Sequence, residues 1–410
     1  MKKLSFLILL AFVGIAVNAQ VVADSVSYEP SYTNDVYYSF ANGEVASVQR
    51  ATWDIAFNSS SMSASILTNA GAGVELFMHP TADTNAWATL DTAGLSGWTA
   101  IYNSDTTWEE GAFTMLATGH PDYGWGQYNS VDHNVYGHKL FVLKLGDGSF
   151  KKIWIKKKLS LAGFYVFAYD KLDNSDPQVY TLELSQYSEY NFAHFSFASN
   201  DVVSFEPVAA SWDVVFSRYW DHDIPYMVTG VLTNYEVMVA KAYPVAPEFV
   251  DYQTLDFSTE IKTIGSDWKS FNMGTFTYDI ADSTAYFIQK TDGSVYKLVF
   301  TGFSGSSTGN VYFDVTELVA AGVEFPVETV SNLVFPNPVQ DVLNIQLSES
   351  SSKMQVNIFN VLGCTVYSRS FTNTIAGEVL SISNLNLKNG MYIVELNDGQ
   401  SKDQQRIIIK

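Results

Sequence analysis

At 410 residues the chain is longer than one hydrophobic core usually grows, so two or three domains are expected. Apolar residues make up 47% and charged residues 16%, which excludes a disordered chain, and an aromatic share of 15% led by Phe and Tyr favours strands. The formal charge of −20 repels phosphate backbones and anionic lipid, which excludes nucleic acid and electrostatic membrane docking.

Residues 1–19 open with Lys2-Lys3, continue as an apolar run from Leu4 to about Ala16, and end on the small-residue site Val17-Asn18-Ala19. This is the pattern of a secretory signal peptide, and no transmembrane segment is expected after its removal. Cys364 is the single cysteine, so an internal disulfide is excluded; its apolar context, "VLGCTVY", predicts a buried, inert thiol.

Downstream, short alternating apolar runs bounded by Gly, Asn, Asp and Ser predict an all-β protein. Leu140–Leu145, Gly146-Asp147-Gly148 and Phe150–Ile155 read as a hairpin with Asp-Gly at its tip. The series Tyr286–Ile288, Asp292-Gly293 and Val295–Phe300 repeats it. Other landmarks also recur in order. Tyr38-Ser39-Phe40-Ala41 is matched by Phe195-Ser196-Phe197-Ala198, Trp53-Asp54 by Trp212-Asp213, Leu67-Thr68-Asn69 by Leu232-Thr233-Asn234, and Trp125 to Asn129 by Trp268 to Asn272. The offset of roughly 145 to 165 residues exceeds a solenoid unit of about 20–50, so tandem domains are expected over 20–187 and 188–322. A linker follows over 323–333. Residues 334–410, with alternating strands and an Asn389-Gly390 turn, predict a small immunoglobulin-like β-sandwich.

Enzyme motifs fail on context, and no catalytic residue is assigned. Gly305-Ser306-Ser307-Thr308-Gly309 has the G-x-S-x-G spelling, but it lies between strands and lacks the helix of a nucleophile elbow. Glu109 and Glu110 are adjacent and splay apart on a strand. Asp221-His222-Asp223 and the trio Asp170, Asp173 and Asp176 match no metal-ligand template, so no metal site is assigned.

Phe335-Pro336-Asn337-Pro338, Ile358 to Gly363, Leu387, Gly390, Tyr392 and the terminal Lys410 resemble the C-terminal sorting domain of type IX (Por) secretion cargo. The resemblance implies export through the periplasm to the cell surface or beyond, with the translocon as a partner. Physically, Pro336 and Pro338 stop a strand, and the region folds as a separate handle.

Tyr38-Ser39-Phe40 with Gly43, Trp53 to Phe57, Thr68-Asn69, and Asp147-Gly148 with Gly163 to Phe167 resemble HmuY-like proteins, a resemblance carried by both halves. It implies haem, gripped by two His or Met side chains, as the candidate cofactor. The ligand position aligns with Met273 in the second half and with Ser130 in the first, where His120, His133 and His138 lie close by. His133 and His138, if on one strand, point to opposite faces. Two functions follow: a haem-binding surface protein, or a structural and adhesive module whose exposed Tyr and Trp contact surface glycans or proteins.

Overall fold

The computed structural model describes residues 20–318 and, in the C-terminal region, 332–340, 342–348, 350–360, 365–383, 385, 387–398 and 402–410. The expected signal peptide, most of the expected linker and Cys364 lie outside the described residues. The chain divides into a body ending at Ala320 and a C-terminal unit beginning at Ala321. All sheets are antiparallel, and the only helical elements among the described residues are short 3-10 turns, so the protein is all-β.

Each repeat builds a long sheet. In the first, Gln178–Glu183, Phe164–Lys171, Phe150–Leu159, Phe141–Lys144 and Glu75–Met78 lie side by side, with Gly126–Tyr128 and Val135–Gly137 added along Phe150–Leu159. In the second, the order is Val21–Ser27, Asn310–Leu318, Val295–Phe303, Ala285–Gln289 and Met238–Ala242. The expected Asp-Gly hairpins pair as read: Gly148 and Gly293 take φ of 84° and 86°, a left-handed conformation that glycine adopts without strain.

The second sheet begins with Val21–Ser27, the first strand among the described residues. Hydrogen bonding crosses the expected 187/188 boundary in both directions. Asn34–Ser39 pairs with Val214–Asp221 of the second repeat, and Phe192–Ser196 pairs with Ile55–Asn58 of the first. Residues from about 53 to 205 therefore form one contiguous lobe, while residues 20–49 complete a second lobe with 208–318. Separate apolar cores follow this division, one around Phe57, Trp125 and Phe195 and the other around Tyr38, Phe216 and Phe313.

The Trp-Asp landmarks anchor the exchange. Asp54 Oδ2 accepts the N–H of Phe197 at 2.7 Å, and Asp213 Oδ2 accepts that of Phe40 at 2.7 Å. Each carboxylate thus fixes the start of the hairpin loop contributed by the other repeat. Asn69 Nδ2 donates to the carbonyls of Arg50 and Trp53, as Asn234 Nδ2 does to Ala209 and Trp212, so the recurring Thr-Asn pair holds the turn before each Trp.

The C-terminal unit is a sandwich of one three-stranded and one four-stranded sheet around Leu343, Val356, Ile358, Val394 and Ile407. Its Pro-rich opening ties the first strand to the last. Asn337 Nδ2 donates to the Arg406 carbonyl at 3.0 Å, its Oδ1 accepts the Ile408 N–H at 3.0 Å, and Lys410 N–H reaches the Val339 carbonyl at 2.9 Å. Tyr392 donates to the Lys388 carbonyl, and Gly390 starts the strand beside Ile409. Phe335 closes the strand Leu333–Phe335, leaving Pro336 and Pro338 on the exposed connection that follows.

Candidate functional site

Strand alternation brings Arg218 and Trp220 to one face of Val214–Asp221, opposite the core residue Tyr219. Tyr102 stacks on Trp220 with ring centroids 4.0 Å apart and planes 11° from parallel. It reaches that position because the first repeat carries a long excursion between Glu75–Met78 and Gly126–Tyr128, pinned where Ile101 N–H bonds the Leu76 carbonyl at 2.8 Å. Asn103 secures the same segment by bonding both backbone groups of Thr68, at 2.9 and 2.8 Å.

The stacked pair is shared by two adjoining concavities. One, of about 520 Å³, is lined by Tyr32, Gln49, Arg218 and Met227 among others. The other, of about 570 Å³, is lined by Met78, Trp98, Met115 and His222 among others. The two concavities, together the groove, meet at this pair, whose rings each give one face to the other, and scattered polar groups line both. The groove's rim is braced across the lobes: Lys262 pairs with Asp105 at 2.7 Å and Asp223 at 2.8 Å, and His222 Nε2 meets the Asn103 carbonyl oxygen at 2.9 Å. Glu75 is held by Lys144 at 3.0 Å and accepts from the Tyr102 hydroxyl at 3.4 Å.

Behind the groove, between the exchanged sheets, lies a cavity of about 90 Å³ walled by Trp53, Trp212, Tyr37, His194, Phe205 and Glu206. Its two sides echo each other. Trp212 meets Tyr37 edge-on at 4.9 Å, and Trp53 meets His194 edge-on at 4.7 Å. Burial pushes the Glu206 carboxyl up to about 8, although it accepts the Phe192 N–H at 2.7 Å. Burial pushes His194 down to about 3, so its ring is neutral.

A raised carboxyl stabilises the fold in its protonated form. That contribution is complete below about 4.5 and is lost as pH rises through about 8. His194 acts oppositely, but only below its unfolded value of about 6.5. Between pH 6.5 and 8 the Glu206 contribution is therefore expected to fall by about 2 kcal/mol, against an opposing rise above about 7 from Lys269, which burial lowers to about 7. In denaturant melts across this window the unaltered protein is expected to lose about 2 kcal/mol relative to Glu206→Gln, and parallel pH profiles contradict the assignment.

The four histidine and methionine positions singled out from sequence lie elsewhere. His120 lies 5.1 Å from the ring of Tyr128 between centroids, and His133 lies 6.0 Å from it with Nδ1 at the Tyr128 hydroxyl. His133 and His138 do not share a strand: His133 sits in a loop at φ 60°, before the strand Val135–Gly137, and His138 follows it. His138 is half-buried, its Nδ1 has no partner, and burial followed by Lys139 lowers its pKa. Met273 is 73% exposed at the tip of the hairpin formed by Lys269–Asn272 and Thr277–Ile280. That hairpin is the counterpart of Gly126–Tyr128 with Val135–Gly137. His133 N–H bonds the Asn129 carbonyl as Phe276 N–H bonds that of Asn272, and His133 and Phe276 share a positive φ, so Ser130 occupies the place of Met273. None of the four lines the groove or the cavity described above.

Other motif residues are accounted for locally. Asp170 pairs with buried Lys152 at 3.9 Å, and Asp221 Oδ1 accepts the N–H groups of Asp223 and Ile224. Gly305–Ser307 is a turn between two long strands. Among the described residues no cluster of three His, Cys, Asp or Glu is arranged to hold a metal ion. Sequence reasoning missed Tyr102, Arg218 and Trp220; the alternation in "SRYWD" was the available signal, pairing Arg218 with Trp220.

No curated protein matches the chain. The crystal structure of dimeric latent PorU from Porphyromonas gingivalis is similar over 68% of this chain and 32% of that chain, at 12% identity and a TM-score of 0.16. The chain thus spans about a third of that protein, and the likeness is too slight to bear on fold or function. Neither result supports the HmuY resemblance. Among the described residues no helix is long and apolar enough to cross a membrane. Residues 333–410 match the family described as the secretion system C-terminal sorting domain. The chain is therefore cargo of type IX secretion, exported through this C-terminal domain to the cell surface or the extracellular space.

Proposed function

We propose that the exported body is a binding module without catalytic activity, that its site is the groove astride Tyr102 and Trp220, and that its ligand is a glycan. The observation carrying this reading is the stacked pair shared by two concavities of about 520 and 570 Å³. A sugar ring offers C–H faces to flat aromatic rings and hydroxyls to the polar groups around them, and the groove combines both. The non-catalytic reading is supported by the lining: Glu75 is the carboxylate there and Lys144 already engages it, so no acid and base flank the stack.

The haem reading rests on His120, His133, His138 and Met273. It needs two of them facing each other across one flat slot. His120 and His133 instead both contact Tyr128, and Met273 belongs to the hairpin of the other repeat. Microarray binding of the mature secreted protein is expected to detect glycans, with Trp220→Ala reducing affinity at least tenfold, about 1.4 kcal/mol. Equal binding by this variant contradicts the groove. In a parallel hemin titration the Soret band is expected to stay unshifted, and a shift lost in Met273→Ala would favour the haem reading instead.

A further inference from the structure

We infer that the groove recognises an acidic glycan, with a carboxylate of the sugar bound by Arg218 while its ring lies on Trp220; this rests on the groove being the glycan site. Cations are scarce in this chain, 23 Lys and Arg against 43 Asp and Glu. The others around the groove are already engaged. Arg50 pairs with buried Asp35 at 2.7 Å and donates to the Asn34 carbonyl, Lys262 holds Asp105 and Asp223, and Lys144 holds Glu75.

Arg218 differs. It is half-buried and lines both the groove and the cavity behind it, and its guanidinium makes no hydrogen bond or ion pair with any described residue. A half-buried guanidinium without a counterion is unfavourable, and a bound anion relieves it. Burial, with the like charge of Arg50 as the second cause, pushes its pKa below the usual arginine value, the direction expected of an uncompensated cation.

Geometry and charge narrow the ligand. Arg218 and Trp220 are two residues apart on one strand face, about 7 Å along the strand, so a ring on the indole keeps a substituent near the guanidinium. One free planar fork suits one carboxylate, which it binds through two parallel N–H donors. Gln49, Ser31 and Thr33 add neutral polar groups on the same wall, suited to sugar hydroxyls.

Calorimetry on the intact mature protein tests this, using a galacturonic acid tetramer, its carboxyl-reduced neutral tetramer and a tetraglutamate peptide. Salt at 0.15 M shortens the Debye length to about 8 Å and screens the overall negative charge. The acidic tetramer is expected to bind at least tenfold more tightly than the neutral one. Arg218→Gln is expected to erase that difference, and Arg218→Lys to restore part of it. Equal affinity of the two tetramers for the unaltered protein overturns the carboxylate assignment but leaves the glycan groove standing, and this comparison needs no variant to fold. Failure of both to bind overturns both readings, and tetraglutamate binding as tightly as the uronate overturns the requirement for a sugar.

Discussion

Deleting residues 20–49 from the mature chain is expected to unfold the second lobe, although most of that lobe lies more than 150 residues downstream. The segment supplies the edge strand paired along Asn310–Leu318 and the strand paired with Val214–Phe216. It also supplies Val26, Tyr28, Val36, Tyr38 and Phe40 to the core around Phe216 and Phe313. Burying a large apolar side chain is worth about 1.5–3 kcal/mol, so five together contribute about 8–15 kcal/mol, comparable with the whole stability of a typical domain. Limited proteolysis is expected to cut the truncated protein first within 208–318, while the contiguous lobe around Phe57 and Phe195 resists longer. Uniform resistance, with one cooperative melt like that of the full chain, contradicts the exchange.

The second large effect concerns export. Removing residues 333–410 is expected to abolish appearance of the protein in the medium and at the surface, and to leave a folded body in the periplasm. The domain match and the closed sandwich both support this. The sandwich keeps its own core and clamps its last strand through Asn337 and Lys410, so the handle is lost as a unit without disturbing the body's cores. Cell fractionation with a periplasmic marker gives the result. Undiminished export of the truncated chain contradicts the sorting role.

Much of this architecture is legible in the residues. The Asp-Gly hairpins, the alternating strands and the repeated landmarks are local signals, and antiparallel pairing follows from them directly. The exchange of hairpins is not legible, because Tyr38-Ser39-Phe40 and Phe195-Ser196-Phe197 present the same pattern to either Trp-Asp strand. Which strand each one joins is decided by packing between sheets, where Asp54 accepts from Phe197 and Asp213 from Phe40. The correspondence of Ser130 with Met273 is readable because both follow an Asn in equivalent four-residue loops. The groove is harder to see. Tyr102 and Trp220 are far apart in sequence and meet only because an excursion of the first repeat folds against a strand of the second. Arg218 carries no motif, and what marks it is the lack of a partner, a property of the fold alone.

The central claim is that this exported protein binds a glycan astride Tyr102 and Trp220. A crystal structure of the mature protein with the galacturonic acid tetramer tests it most directly. The account predicts a sugar ring stacked on the Trp220 indole with its carboxylate within hydrogen-bonding distance of Arg218. Sugar density at the hairpin tips around Tyr128 or Met273, with the Tyr102–Trp220 groove holding only solvent, contradicts it.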